Sequence, residues 1–264
     1  MRLIQTFFVL FALLFFSACE KVIDIELKGS DPLLVIEGVI NNRTDTQSVR
    51  ITSSVPIGES NRFPGVSGAT VTVKDQDGIT YAFRERAPGI YSSRRMRGIP
   101  GRTYSLSILY NRKSYTAQSR MPSQVTIDSI GFQSTTIFNN SRTSLQLIFR
   151  DPPQIKNYYR FVLSVNEVKT SSIFVYSDDF TDGKQVTRDL FDVDVDLKSG
   201  DKVAVEMHCI DPVIYRYWFG LDQNRSRGGA SVTPANPVSN ISNGALGYFS
   251  AQTQQTEQLY VPFL

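Results

Sequence analysis

Histidine occurs once in these 264 residues, tryptophan once and cysteine twice. A single histidine, His208, excludes multi-histidine zinc sites. It leaves a Ser-His-Asp triad only one possible base, and no Gly-x-Ser-x-Gly elbow is present to present a serine. Cys209 follows His208 directly, and neighbours on a strand point to opposite faces, so the two cannot form a nucleophile–base pair. Neither sign of charge dominates, with 28 Lys+Arg against 25 Asp+Glu, so charge implies no nucleic-acid partner. After Leu27 no apolar run approaches the roughly 20 residues of a membrane-spanning helix.

What is present begins with an address. Arg2 precedes an apolar run from Phe7 to Phe16, and Ser17-Ala18 lead into Cys19. A charged start, a short apolar stretch and small exit residues make a secretory signal peptide over 1–18. Phe16-Ser17-Ala18-Cys19 resembles the bacterial lipobox, with phenylalanine where leucine is usual. That motif implies cleavage before Cys19 and lipidation of its thiol, so the chain is held at a membrane by buried acyl chains. A lipidated Cys19 leaves Cys209 without a disulfide partner. Residues 19–30 form a tether, and Glu20, Asp24 and Glu26 resemble a diluted surface-export signal of Bacteroidota lipoproteins.

The body reads as β. Val49 and Ile51, Ala69, Val71 and Val73, and Tyr81 and Phe83 alternate with polar neighbours, as half-buried strands do. Asp75-Gln76-Asp77-Gly78 and Asn111-Arg112 supply turns between them. Regular short strands over 31–122 predict a β-sandwich. The run from Gly68 to Tyr91 resembles immunoglobulin-like and transthyretin-like modules of bacterial surface proteins. Met121-Pro122-Ser123 marks a boundary, and 123–264 reads as a second β-rich domain. Its strands include Tyr158 to Val165, an alternating Asp192 to Leu197, and Lys202 to Ile210, with a last strand from Leu259 to Phe263. One helix is predicted near 212–224: Asp211 caps it, Pro212 opens it, and Ile214, Tyr217, Trp218 and Leu221 share a face.

Chemistry-bearing residues are few. Asp178-Asp179-Phe180-Thr181-Asp182-Gly183 has the look of a calcium loop, but Phe180 takes a ligand position and Asp189 stands where a closing Glu belongs. The prediction is no metal site, no cofactor and no catalytic residue. Six arginines, Arg84, Arg86, Arg94, Arg95, Arg97 and Arg102, crowd one stretch. Arg94, Arg95 and Arg97, with Tyr158 and Tyr159, are the candidate partner contacts, through charge and ring stacking respectively. Asp128-Ser129-Ile130 matches a short O-glycosylation pattern of exported Bacteroidota proteins, with Ser129 the acceptor.

The lipobox, Asp151-Pro152-Pro153, Asn157 to Phe161, Tyr215 to Trp218, and above all Asn240-Ile241-Ser242-Asn243-Gly244-Ala245-Leu246-Gly247-Tyr248-Phe249 together resemble the DUF4249 family of Bacteroidota lipoproteins. The resemblance implies an outer-membrane lipoprotein, and the acidic residues after Cys19 predict the cell surface rather than the periplasmic face. The resemblance also implies an accessory role beside a TonB-dependent transporter in nutrient uptake, without catalysis. The ligand stays open. A carbohydrate-active hydrolase or a passive adhesin or spacer are the competing readings.

Overall fold

The structure, a computed structural model, describes residues 31–56, 62–94, 96–137, 140–226 and 236–262, without the side chains of 136–141. Cys19 and the tether lie outside these residues, as does Arg95. The protein is mainly β, with a large mixed sheet, a small second sheet and one helix among the described residues.

Seven strands build the first half: β1 (Leu34–Asn41), β2 (Gln47–Ser53), β3 (Thr70–Asp75), β4 (Thr80–Ala87), β5 (Ile90–Ser93), β6 (Thr103–Tyr110) and β7 (Lys113–Arg120). Their alternation is as the sequence predicts. On β6, Tyr104, Leu106 and Ile108 are buried, while Ser105 and Ser107 face outward. Asn111 and Arg112, at φ 47° and 61°, turn β6 into β7 in the left-handed conformation that a tight hairpin uses.

The second half holds β8 (Ile127–Ile137), β9 (Asn140–Arg150), β10 (Tyr158–Val165), β11 (Val168–Lys169), β12 (Phe174–Ser177), β13 (Gln185–Leu190) and β14 (Lys202–Cys209). Then come helix α1 (Pro212–Ser226) and the 15-residue strand β15 (Leu246–Tyr260). The small sheet has the order β13-β9-β8, and packs against β10 and β14 around a second core that includes Phe149, Phe161, Leu163, Val205 and Met207.

β15 joins the halves. Its first part, Leu246 to Gln252, pairs in parallel with β1, and its second, Thr253 to Tyr260, pairs antiparallel with β14. The large sheet therefore runs β11-β10-β14-β15-β1-β2-β5-β4-β3-β6-β7, with β12 also on β10. Phe249 and Ala251 of β15, with Ile241 and Ala245 before it, complete the first core. The two cores divide at Pro122, but residues 241–251 pack in the first, so a split into 31–122 and 123–264 does not follow the packing. Pro32–Leu264 forms one unit. Gly247 makes the parallel pairing possible: its φ is +92°, and a Cβ there would stand 2.1 Å from the Ile36 carbonyl oxygen.

Two local expectations change. Asp192 to Leu197 is a turn and irregular segment, because the buried Asp192 carboxylate accepts from its own downstream Asp194 N–H (3.0 Å) and from Ser172 N–H. The last strand begins at Leu246 rather than Leu259, since the polar tract between is paired with β14.

Candidate functional site

The residues that looked most reactive, His208 and Cys209, are both buried, on opposite faces of β14. On β14, Val203, Val205, Met207 and Cys209 face the second core, as alternation requires. The Cys209 thiol is buried and free, and burial pushes its pKa up. Glu206 and His208 point to the opposite face, where α1 lies over the sheet. Asp211 starts that helix as expected, its Oδ1 accepting from Val213 N–H (3.0 Å) and Ile214 N–H (2.9 Å), while Ser119 donates to Oδ2.

His208 is 4 % exposed and sits across the β10–β14 ladder from Arg160. Its Nδ1 lies 3.4 Å from Arg160 Nη1, and its Nε2 lies 3.1 Å from Glu206 Oε2. Burial lowers the imidazole pKa, against the opposing pull of Glu206. The neutral ring therefore accepts from Arg160 at Nδ1 and donates to Glu206 at Nε2. The His208 hydrogen bond holds Glu206 down at about 2, and Lys169 Nζ is 3.5 Å from its other oxygen. The Arg160 guanidinium lies 3.8 Å over the Trp218 ring, which meets Tyr217 and Tyr248 edge-on. The sole histidine is thus a neutral bridge between two charges under a helix.

The candidate tyrosines separate by face. Tyr158, on the same side as Arg160, packs its ring 4.9 Å from Tyr215 of α1. Tyr159 is in the second core, 4.9 Å from the Phe149 ring, and donates its hydroxyl to Asp151. It presents nothing to a partner, because period two turns it inward.

The aspartate-rich loop gains a member the sequence reading missed. Carboxylate oxygens of Asp151, Asp178 and Asp182 lie within 4.8 Å of one another. Asp151 directly follows β9 and is fully buried, and burial raises its pKa. Asp178 Oδ2 accepts from Asn157 N–H (2.7 Å), and Asp182 Oδ1 from Gln154 N–H (2.8 Å). Lys156 Nζ lies 2.7 Å from Asp178 Oδ1, close enough to pair charges but off the direction of a hydrogen bond. Asp179 turns outward to Lys156 and Ser177. These contacts clasp the loops 151–157 and 178–184 together, with Lys156 as the compensating cation.

Among the described residues, the outer faces of the first half include two grooves lined largely by strand residues. One, of about 750 Å³, is lined by Thr72, Ser105, Ser107, Thr116, Gln118 and Asn240 among others, with Lys74 its only charge. Its far wall is the Asn240–Ser242 segment. Ser242 and Thr116 exchange hydrogen bonds (2.7 and 2.8 Å), and the Asn240 amide bonds Phe249 N–H (2.9 Å), Phe249 C=O (2.8 Å) and Gln118 C=O (3.2 Å). The second groove, of about 440 Å³, holds Arg84, Arg86 and Arg94. The other described arginines of the cluster are used elsewhere: Arg97 donates to the Asn42 carbonyl (2.9 Å), and Arg102 pairs with Asp77 (2.6 Å). Ser129 is exposed on β8, an edge strand, beside a bulge. The signal for the first groove was legible in principle: the outward positions Ser105, Ser107, Thr116 and Gln118 carry hydroxyls and an amide where solvated strands more often carry charges.

Fold and surface define a mainly β scaffold with polar grooves on its outer strands and a set of buried ionisable groups. The family model described as a domain of unknown function, DUF4249, matches residues 20–258, and the chain belongs to that family. A search of the curated proteins found no match.

Proposed function

We propose that the chain is a lipid-anchored outer-membrane protein of Bacteroidota with a non-catalytic binding role, an accessory beside a TonB-dependent transporter in nutrient uptake. The observation that carries this reading is the chemistry of the 750 Å³ groove. It is lined by hydroxyls and amides with one lysine, and no carboxylate or imidazole lines it. Such a lining hydrogen-bonds a polar partner and offers no acid–base pair for turnover. His208 and Cys209, the groups best suited to proton transfer or attack, are committed to the interior. The leader and Cys19 support the anchor, and Glu20, Asp24 and Glu26 support display on the cell surface.

The test is affinity capture through this protein from mildly solubilised outer membrane. A TonB-dependent transporter co-purifies with the wild type and is lost with Ser107→Tyr, which fills the groove from an exposed strand position. Recovery of the wild type alone would overturn the accessory role, and undiminished capture by the variant would remove the groove from it. In parallel, Cys19→Ala abolishes lipid labelling and releases the protein; persistent labelling would refute the anchor.

A further inference from the structure

The second groove follows from strand alternation and small residues. On β4, Phe83 enters the core, which sends Ala82 and Arg84 to the outer face, and Arg86, the extra residue of a bulge opposite β5, lines the same groove. Arg84 lies opposite Ser92 of β5, and Arg94 follows that strand. Ala82 and Ser92 keep the floor low, so three long arginine arms rim a trough of about 440 Å³.

Nothing in the described protein neutralises them. Among the described residues Arg84, Arg86 and Arg94 have no ion pair and no hydrogen bond. The acids near them are engaged. Glu85 is the only carboxylate on β4. Its two oxygens accept from Gly68 N–H (3.1 Å) and Gly89 N–H (3.2 Å). Asp75, the last residue of β3, and Asp77, on the turn before β4, lie 3.9 and 2.6 Å from Arg102.

We propose that this groove binds a phosphate-type oxyanion. Three guanidiniums concentrate positive charge where no carboxylate offsets it, and each presents a planar fork of N–H donors that matches phosphate oxygens. One carboxylate would engage a single fork; a multiply charged tetrahedral anion engages several. The trough meets the hydroxyl-lined groove at Thr80, which lines both. A ligand with a phosphate group and a hydroxyl-rich body would fill the two together. This inference does not depend on a transporter partner.

The test titrates the full-length protein, in a detergent with neutral headgroups, with inorganic pyrophosphate at constant ionic strength. A second arm measures retention of Cys19→Ala protein, which lacks the acyl anchor, on phosphatidylcholine vesicles with and without phosphatidylglycerol, which distinguishes a free phosphate from a lipid headgroup. Saturable binding in either arm should weaken at least tenfold in Arg84→Gln/Arg86→Gln/Arg94→Gln. Arg84→Gln alone, at an exposed position, should cost at least threefold, and serves if the triple variant does not fold. Arg150→Gln, an exposed arginine of the other sheet, makes the same change of charge and should stay within twofold of the wild type. Equal losses in Arg150→Gln and Arg84→Gln would reduce the effect to diffuse net charge and overturn the site. So would the absence of arginine-dependent binding in both arms.

Discussion

Removing the chain's one imidazole should flatten its stability between pH 8 and pH 5. His208 is held neutral by burial beneath α1, so its folded-state pKa lies below the value near 6.5 of an unfolded chain. Below that value the unfolded chain takes up a proton that the folded chain refuses. The stability from the neutral ring is therefore present above about pH 6.5 and is lost as pH falls. One proton of difference corresponds to ~1.4 kcal/mol per pH unit at most. Integrated from pH 8 to pH 5, the upper limit is about 2 kcal/mol, which for a domain of this size moves the melting temperature by about 4–8 °C. Asp151 acts in the opposite sense. Burial raises its pKa, so the folded chain holds that proton to higher pH and gains stability on acidification. Wild type and His208→Gln share Asp151, so the difference between their pH slopes isolates the imidazole. The window stops at pH 5 because the Glu206 contribution falls away only lower, between its ordinary value and about 2. Melting temperatures of both proteins across pH 5–8 are the assay. The wild type should lose stability toward pH 5 more steeply than His208→Gln, whatever the baseline cost of the substitution. Parallel curves would refute the neutral buried bridge.

Two further substitutions probe the closure of the first core. Gly247→Ala places a Cβ against the Ile36 carbonyl at a φ that side chains rarely adopt, and should cost more than about 3 kcal/mol in urea unfolding. Wild-type stability in that variant would mean that β1 and β15 do not approach as described. Asn240→Ala removes three hydrogen bonds to β7 and β15 and strands part of the Phe249 backbone, a loss of about 2–4 kcal/mol. Asn240→Asp keeps the acceptor for Phe249 N–H but turns a carboxylate oxygen toward the carbonyls of Phe249 and Gln118, so it should cost at least as much as alanine; a loss well below that of alanine would assign the effect to something other than this amide.

Much of the fold was legible because its strands obey one rule. Tyr104, Leu106 and Ile108 on β6, and Val203, Val205 and Met207 on β14, alternate cleanly and bury the expected face. The helix was legible because Asp211 and Pro212 carry start signals that act locally. Failures came where local chemistry competed with the pattern. Asp192, Asp194 and Asp196 alternate as a strand would, but an aspartate that accepts its own downstream N–H favours a turn. The full length of β15 was hidden by its polar middle. Ser250, Gln252 and Thr253 are buried there, and Gln255 accepts from Ile127 N–H at 3.0 Å. That stretch crosses between the two cores, where Ser250 donates to Gln252 at 3.0 Å and Gln255 serves the neighbouring backbone, so polar residues take core-facing positions and the apolar alternation is lost. Asp151 was missed for a different reason. It meets Asp178 and Asp182 only through tertiary packing, which no spacing in the chain records.

The stretch that best carries the family resemblance, Asn240 to Phe249, turns out to do structural work. A parallel partner for β1 has to come from far along the chain, and it needs to be held in register at its entry. Asn240 ties that entry to Phe249 and to β7, Ser242 pairs with Thr116, and Asn243 donates to the Ser114 carbonyl. These contacts also occupy the edge of β7, which would otherwise expose a row of unpaired N–H and C=O groups. An amide spent on backbone in this way has little left for a ligand. Asn240 and Ser242 therefore serve as the wall of the 750 Å³ groove rather than as its reading groups. Under the proposed binding role, selectivity in that groove rests on the outward residues of β3, β6 and β7, Thr72, Ser105, Ser107 and Gln118, whose hydroxyls and amide can change without unlocking the fold.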